Sequence, residues 1–219
     1  MELCLSTLRN YFTKVLSYSV FKLNFKTFLL LKGKTTMSRI NTPKTIQEAQ
    51  SASQPLLKTV EKQLGSIPNL FRITSNSPQT LEGYLALNGA LAKGTLPAAT
   101  RERIALAVAE INGCNYCLAA HNYLGQNVAK LSKQEICVNR RGSSLDSKAA
   151  AAVEFAVTIT KQRGQTSKAD FDAVRAAGYS DAEIIEIVGH VALNTLTNYI
   201  NETLQTVIDF PAVDNLIAA

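Results

Sequence analysis

A chain of 219 residues, 46% hydrophobic and 18% charged, is large and apolar enough to bury one core as a single domain with an appendage, which excludes a fibrous or disordered polymer. The net charge of +6 would suit nucleic acid, but residues 1–36 hold six Lys/Arg against the single acid Glu2, and residues 37–219 hold seventeen against sixteen. The body is therefore near neutral, no nucleic-acid partner is expected, and four cysteines are too few to staple a secreted fold, which favours a reducing, cytoplasmic compartment.

Residues 1–36 stand apart from the rest. They are basic, rich in Ser, Thr and aromatics, and end just before Met37. Their apolar runs, Val15 to Phe21 and Phe28 to Leu31, are broken by Lys22 and Lys26 and fall short of the roughly 20 residues a membrane span needs. The segment reads as an unstructured N-terminal extension, either a transit peptide or sequence upstream of a true start at Met37, with no membrane partner. Residues 37–219 read as the folded domain.

From Thr45 the punctuation is helical. Thr45-x-x-Glu48 has a capping-box pattern, Pro55 restarts the helix, and Gly65 with Pro68 stops it. A second helix is predicted from Pro78 to Lys93, with an apolar stripe of Leu81, Tyr84, Leu85, Leu87 and Leu91 and Gly94 at its C-terminal cap. A third runs from Pro97 to Ile111 with Ile104, Ala105, Val108 and Ile111 facing inward, Asn112-Gly113 breaks it, and a fourth runs from Cys114 to about Val128. Ser132-x-x-Glu135 opens a short helix ending near Gly142; residues 145–163 form an Ala-rich helix closed by Gly164; Thr166 or Ser167 opens another, closed by Gly178. Ser180-x-x-Glu183 opens the longest, running to about Val207 before Asp209-Phe210-Pro211 ends it. No alternating β-branched run with hairpin turns argues for a sheet, so the expected fold is all-α.

The chemistry concentrates in RERIALAVAEINGCNYCLAAHNYLG, residues 101–125. Cys114 and Cys117 form a C-x-x-C pair, and His121 lies one helical turn after Cys117, within expected hydrogen-bond reach. An ordinary thiol is mostly protonated at neutral pH. Here the break at Asn112-Gly113 would set both sulfurs in a first helical turn, where free N–H groups and the dipole favour a thiolate, and His121 could take the Cys117 proton. Glu102 and Glu110 are the upstream acids able to orient the imidazole. Two thiols allow a two-electron dithiol cycle.

Other readings of the same residues are weaker. A zinc site would need Cys4, Cys137 or His190 to complete it, and haem attachment would need a histidine where Leu118 stands. Glu110, Cys4 and Cys137 read as structural or inert. His190, Asn194 and Asn198 recur every fourth residue in an otherwise apolar helix, lining either a site or a subunit contact, or forming a satisfied core network, the reading favoured here.

The 101–125 stretch resembles the signature of the carboxymuconolactone decarboxylase superfamily and, within it, the AhpD-like alkylhydroperoxidases, in which a Glu lies twelve residues before the first Cys of C-x-x-C and a His four after the second. Glu102 and His121 occupy those positions, and the likeness extends over about residues 43–214, including PLLKTVEKQLGSIPNLFRITSNSP. The resemblance implies a helical bundle that assembles as a trimer or hexamer, with a peroxiredoxin-like, antioxidant activity toward hydroperoxides that needs no cofactor or metal. By it, Cys117 attacks the peroxide, His121 is its base, Glu102 the distal acid of the relay, and Cys114 the partner that resolves the sulfenic acid; an external thiol or disulfide reductant closes the cycle. Tyr116 departs from the pattern, standing where better-known members have a second His between the cysteines. A lactone-decarboxylase activity and a non-catalytic metal-binding or assembly module are the alternatives; the decarboxylase proper lacks the C-x-x-C.

Overall fold

The computed structural model describes residues 37–213, so the expected extension over 1–36 and Cys4 lie outside the described residues. Among the described residues the fold is all-helical, without a strand. Two 3-10 turns, Ile46–Glu48 and Ser51–Ser53, lead into α1 (Gln54–Leu64), α2 (Asn69–Thr74), α3 (Pro78–Leu91), α4 (Ala98–Ile111), α5 (Asn115–Asn127), α6 (Lys133–Arg140), α7 (Ser147–Gln162), α8 (Lys168–Ala176) and α9 (Asp181–Leu204).

Most boundaries follow local chemistry. Ser132, Ser167 and Ser180 each accept a hydrogen bond from the backbone N–H three residues on, and the last two complete full capping boxes with Asp170 and Glu183. Pro55 lies in the first turn of α1, and Gly65 closes that helix with φ +73°, a conformation costly for any residue with a Cβ.

Five expectations are corrected. The Thr45 pattern makes only a 3-10 turn, because Glu48 bonds the N–H of Lys44 rather than that of Thr45. Helix α2 is additional: its Leu70, Phe71 and Ile73 are buried, but six residues carry too little periodicity to be read. Helix α3 stops at Leu91, and Leu87 is exposed instead of inside. Helix α9 ends at Leu204, three residues early, where Gln205 turns left-handed. Finally, Glu135 does not act as a capping acid: it is buried and accepts from Arg103, Asn139, Ser144 and the Leu145 N–H, which hold its carboxyl at about 2 against the opposing effect of burial.

Helix α4 is the axis of the domain, packed against α5, α6, α7 and α9. Its run Ile104 to Ala109 is buried on every side, as expected of a helix apolar all round. One core joins α4, α7 and α9 through residues such as Val108, Val153 and Ile187; a second cluster encloses Leu70, Cys114, Tyr116 and Cys117. The segment after α9 returns across this second cluster. Asp209 accepts from the Asn69 N–H at 2.8 Å, and Phe210 meets Tyr116 edge to face, with ring centroids 5.7 Å apart. No helix among the described residues is long and apolar enough to cross a membrane.

Candidate active site

The turn between α4 and α5 sets the sulfurs. Gly113, at φ +66°, reverses the chain, and Cys114 becomes the N-cap of α5, its Sγ accepting from the Cys117 N–H at 3.3 Å. A sulfur thus takes the place usually filled by a Ser or Asp oxygen, and Cys117 lies within the first turn, where N–H groups lack intrahelical partners. Both sulfurs are buried and unbridged.

Helix α9 supplies what the motif does not contain. Asn201 donates from Nδ2 to the Cys117 Sγ at 3.2 Å, across 84 residues of sequence. The Cys114 thiol also donates to Cys117. That bond is the strongest influence on the pair; with the Asn201 and Asn198 amides and the nearby His121, it overcomes burial and brings the Cys117 thiol down to about 7. Cys114 moves the other way: donating to its neighbour, it stays protonated well above the ordinary thiol range, an effect that burial reinforces.

Across the cavity His121 Nδ1 meets Glu102 Oε2 at 2.8 Å. Burial alone would lower the imidazole's pKa, but Glu102, then Cys117 and Asn194, outweigh it, so the ring holds its proton above the usual pH. The expected direct hydrogen bond between Cys117 and His121 is not made among the described contacts. His121 spends Nδ1 on α4 and acts on the sulfur through its charge. Glu110, the competing acid, faces away and pairs with Arg140 at 2.7 Å. The Tyr116 hydroxyl accepts from the Leu70 N–H at 3.0 Å, so this side chain ties α5 to α2.

These groups border a cavity of about 290 Å³ between α3, α4, α5 and α9. Its wall includes Glu102, Cys117, His121, Asn194 and Asn201, and also Arg101 and His190. The stripe read as a core network therefore faces the thiols. Its spacing was visible as 190, 194 and 198, and its continuation at Asn201 was the signal that reached the sulfur. Cys137 lies outside the cavity on α6, and no group of three or more His, Cys, Asp or Glu side chains is placed to hold a metal among the described residues.

Residues 78–141 match the sequence profile of the carboxymuconolactone decarboxylase family. The fold is similar to the alkylhydroperoxidase AhpD core of an uncharacterized peroxidase-related protein from Ralstonia eutropha JMP134, at 25% identity and TM-score 0.70 over 78% of this chain and 92% of that one. Residues 78–141 thus carry the carboxymuconolactone decarboxylase profile, on a fold like that of the AhpD core. An uncharacterized peroxidase-related protein from Silicibacter sp. TM1040 shares the fold at 22% identity and TM-score 0.69, over 80% of this chain and 95% of that one. So does the debrominase Bmp8 in complex with 2,3,4-tribromopyrrole, at 19% identity and TM-score 0.66, over 79% and 94%. No curated protein matches the chain.

Proposed function

We propose that the chain is a thiol-dependent peroxidase that reduces hydroperoxides through a Cys117/Cys114 dithiol cycle, in an antioxidant role. The observation that carries it is the contrast within one C-x-x-C pair: a Cys117 sulfur brought to about 7 by donated hydrogen bonds, beside a Cys114 thiol kept protonated. At neutral pH one sulfur is a nucleophile and the other a proton donor awaiting its turn. The carboxymuconolactone decarboxylase profile over residues 78–141 and the fold shared with a peroxidase-related protein support the same class.

In the first step the Cys117 thiolate attacks the terminal peroxide oxygen. An S–O bond forms, the O–O bond breaks, and the leaving alkoxide takes the proton of His121, giving a Cys117 sulfenic acid and an alcohol. Glu102 holds the imidazolium in place and stabilises its charge. Cys114, as thiolate, then attacks the Cys117 sulfur; the S–S bond forms and hydroxide leaves as water with the proton that Cys114 gave up. An external dithiol returns two electrons and frees both cysteines. The same reading includes a cytoplasmic setting and assembly as a trimer or hexamer, supported by an apolar stripe exposed along α9 at Ile185, Val188, Leu196 and Tyr199.

The test is thiol titration around one equivalent of tert-butyl hydroperoxide. Two thiols should vanish and return with dithiothreitol; Cys117→Ser should abolish consumption, Cys114→Ser should trap a sulfenic acid, and Cys137→Ser should behave as wild type. A parallel arm offers 2,3,4-tribromopyrrole, because a debrominase shares the fold. Thiols consumed by the bromopyrrole and untouched by peroxide would replace this reading.

A further inference from the structure

The cavity has a second polar end that the thiol chemistry does not use. Along α9, His190 precedes Asn201 by about 16 Å of helix rise, and both side chains line the cavity. His190 is 5% exposed, and its Nε2 is buried without a hydrogen-bond partner. An orphaned polar atom of this kind destabilises the fold unless something fills its valence.

Arg101 lines the same cavity. Its guanidinium donates to the Leu91 carbonyl at 3.4 Å, and no carboxylate among the described residues pairs with it. The nearby acids are committed elsewhere. Glu102 holds His121, and Glu186 accepts from the Thr95 and Leu96 N–H groups and from the Thr95 hydroxyl. Burial, and then Arg101, keep the His190 ring neutral, down to about 4, so its Nε2 can donate as a neutral imidazole. The remaining wall is largely apolar, from Leu70, Tyr84, Ala105, Ala120 and Leu193.

We propose that Arg101 and His190 form a carboxylate-binding subsite, and that the substrate class is a short-chain hydroperoxide bearing a carboxylate at the end remote from its O–O group. A planar guanidinium with a free edge matches a carboxylate, and an N–H beside it supplies a further donor. A cavity of 290 Å³ holds the equivalent of about ten waters, which limits the ligand to a short aliphatic or single-ring acid. The reactive end rests on the peroxidase reading; the carboxylate end does not.

Two measurements separate them. In the first, a homologous series of hydroperoxy carboxylates is compared with the corresponding methyl esters by kcat/KM. The acid should be preferred by about tenfold to a hundredfold at the best chain length. Arg101→Gln should collapse that ratio toward one, and Arg101→Lys should restore part of it. Acid and ester used equally well at every length would overturn the subsite while leaving the peroxidase standing. The second needs no turnover. The chain has only two histidines, so imidazole nitrogen NMR resolves His190 from His121, with His190→Gln to assign the signals. The hydroxy carboxylate, which is the reduced product, should move the His190 resonance, its methyl ester should not, and Arg101→Gln should remove the response while the His121 signal reports an intact fold. That response without any peroxide turnover would uphold the subsite and defeat the peroxidase reading; its absence at saturating carboxylate would overturn the subsite.

Discussion

The two long faces of α9 depart from the ordinary helix in opposite directions. On the inner face His190, Asn194, Asn198 and Asn201 are buried among core residues; on the outer face Ile185, Val188, Leu196 and Tyr199 are exposed, Ile185 by 71%. A surface helix usually hides its apolar stripe and shows its polar one. Stability explains neither departure: buried amides cost free energy unless bonded, and exposed aliphatics stabilise nothing. The inner departure is accounted for by the cavity. Asn201 bonds the Cys117 sulfur, Asn198 accepts from Asn112 at 2.9 Å, and Asn194 supports His121. The outer one has no counterpart among the described residues, and under the proposed assembly it is the surface a second copy would cover.

The inner face can be broken at one atom, with the largest effect expected anywhere on the helix. Asn201→Asp replaces a donor 3.2 Å from the sulfur with a like charge, which should raise the Cys117 pKa and slow iodoacetamide alkylation at neutral pH about a hundredfold. Asn201→Ala loses a hydrogen bond to a charged group and should slow it about tenfold. In the wild type the thiolate fraction rises with pH through about 7, so the alkylation rate should level off above that point, whereas the variants should still be rising. Identical profiles would detach α9 from the thiol.

A smaller effect tests whether α4 or α9 holds the imidazole. The His121 pKa is raised in the fold, so its interactions contribute stability fully below the ordinary value of 6.5, and that contribution is lost as pH rises through the higher folded value. Glu102→Gln removes the strongest favourable partner. It should cost about 1 kcal/mol in urea unfolding under mildly acidic conditions, with the difference shrinking as pH climbs. A cost that is constant with pH would mean that Glu102 acts by packing and that Asn194 orients the ring.

How far the sequence revealed these features depended on distance along the chain. The serine caps, the glycine stops and the break before Cys114 are local events, and the all-α fold follows from them. Glu102, Cys114, Cys117 and His121 lie within twenty residues on two consecutive helices, so spacing could nominate them; the fold brings Glu102, Cys117 and His121 to one cavity and sets Cys114 beside Cys117 as the N-cap of α5. Asn201 could not be nominated that way, because packing across α4 and α5, not periodicity, decides which turn of α9 meets the sulfur. Two local inferences failed for related reasons. One turn of helix does put His121 near Cys117, but Glu102 outcompetes the thiol for Nδ1, and Ser132-x-x-Glu135 caps its helix with the serine alone because Arg103 draws the glutamate inward.

The outer face supports the test with the least effect on the chain itself. Ile185→Glu and Tyr199→Glu, singly and together, change residues that are 71% and 61% exposed and touch no core cluster, so the unfolding free energy of the isolated chain should move by less than about 0.5 kcal/mol. If a second copy covers the stripe, the same charges lie in an apolar contact, where burying even one without a partner costs several kcal/mol and outweighs what a few aliphatic side chains contribute. Sedimentation velocity should then show the wild type as an assembly and the double variant near the 23.8 kDa of one chain, with unchanged helicity. Because the inner face lies on the opposite side of the same helix, Cys117 alkylation should be the same in both. A wild type that sediments as a single chain would leave the outer stripe without an occupant, and slowed alkylation in the variant would show that assembly braces the amides behind the thiol.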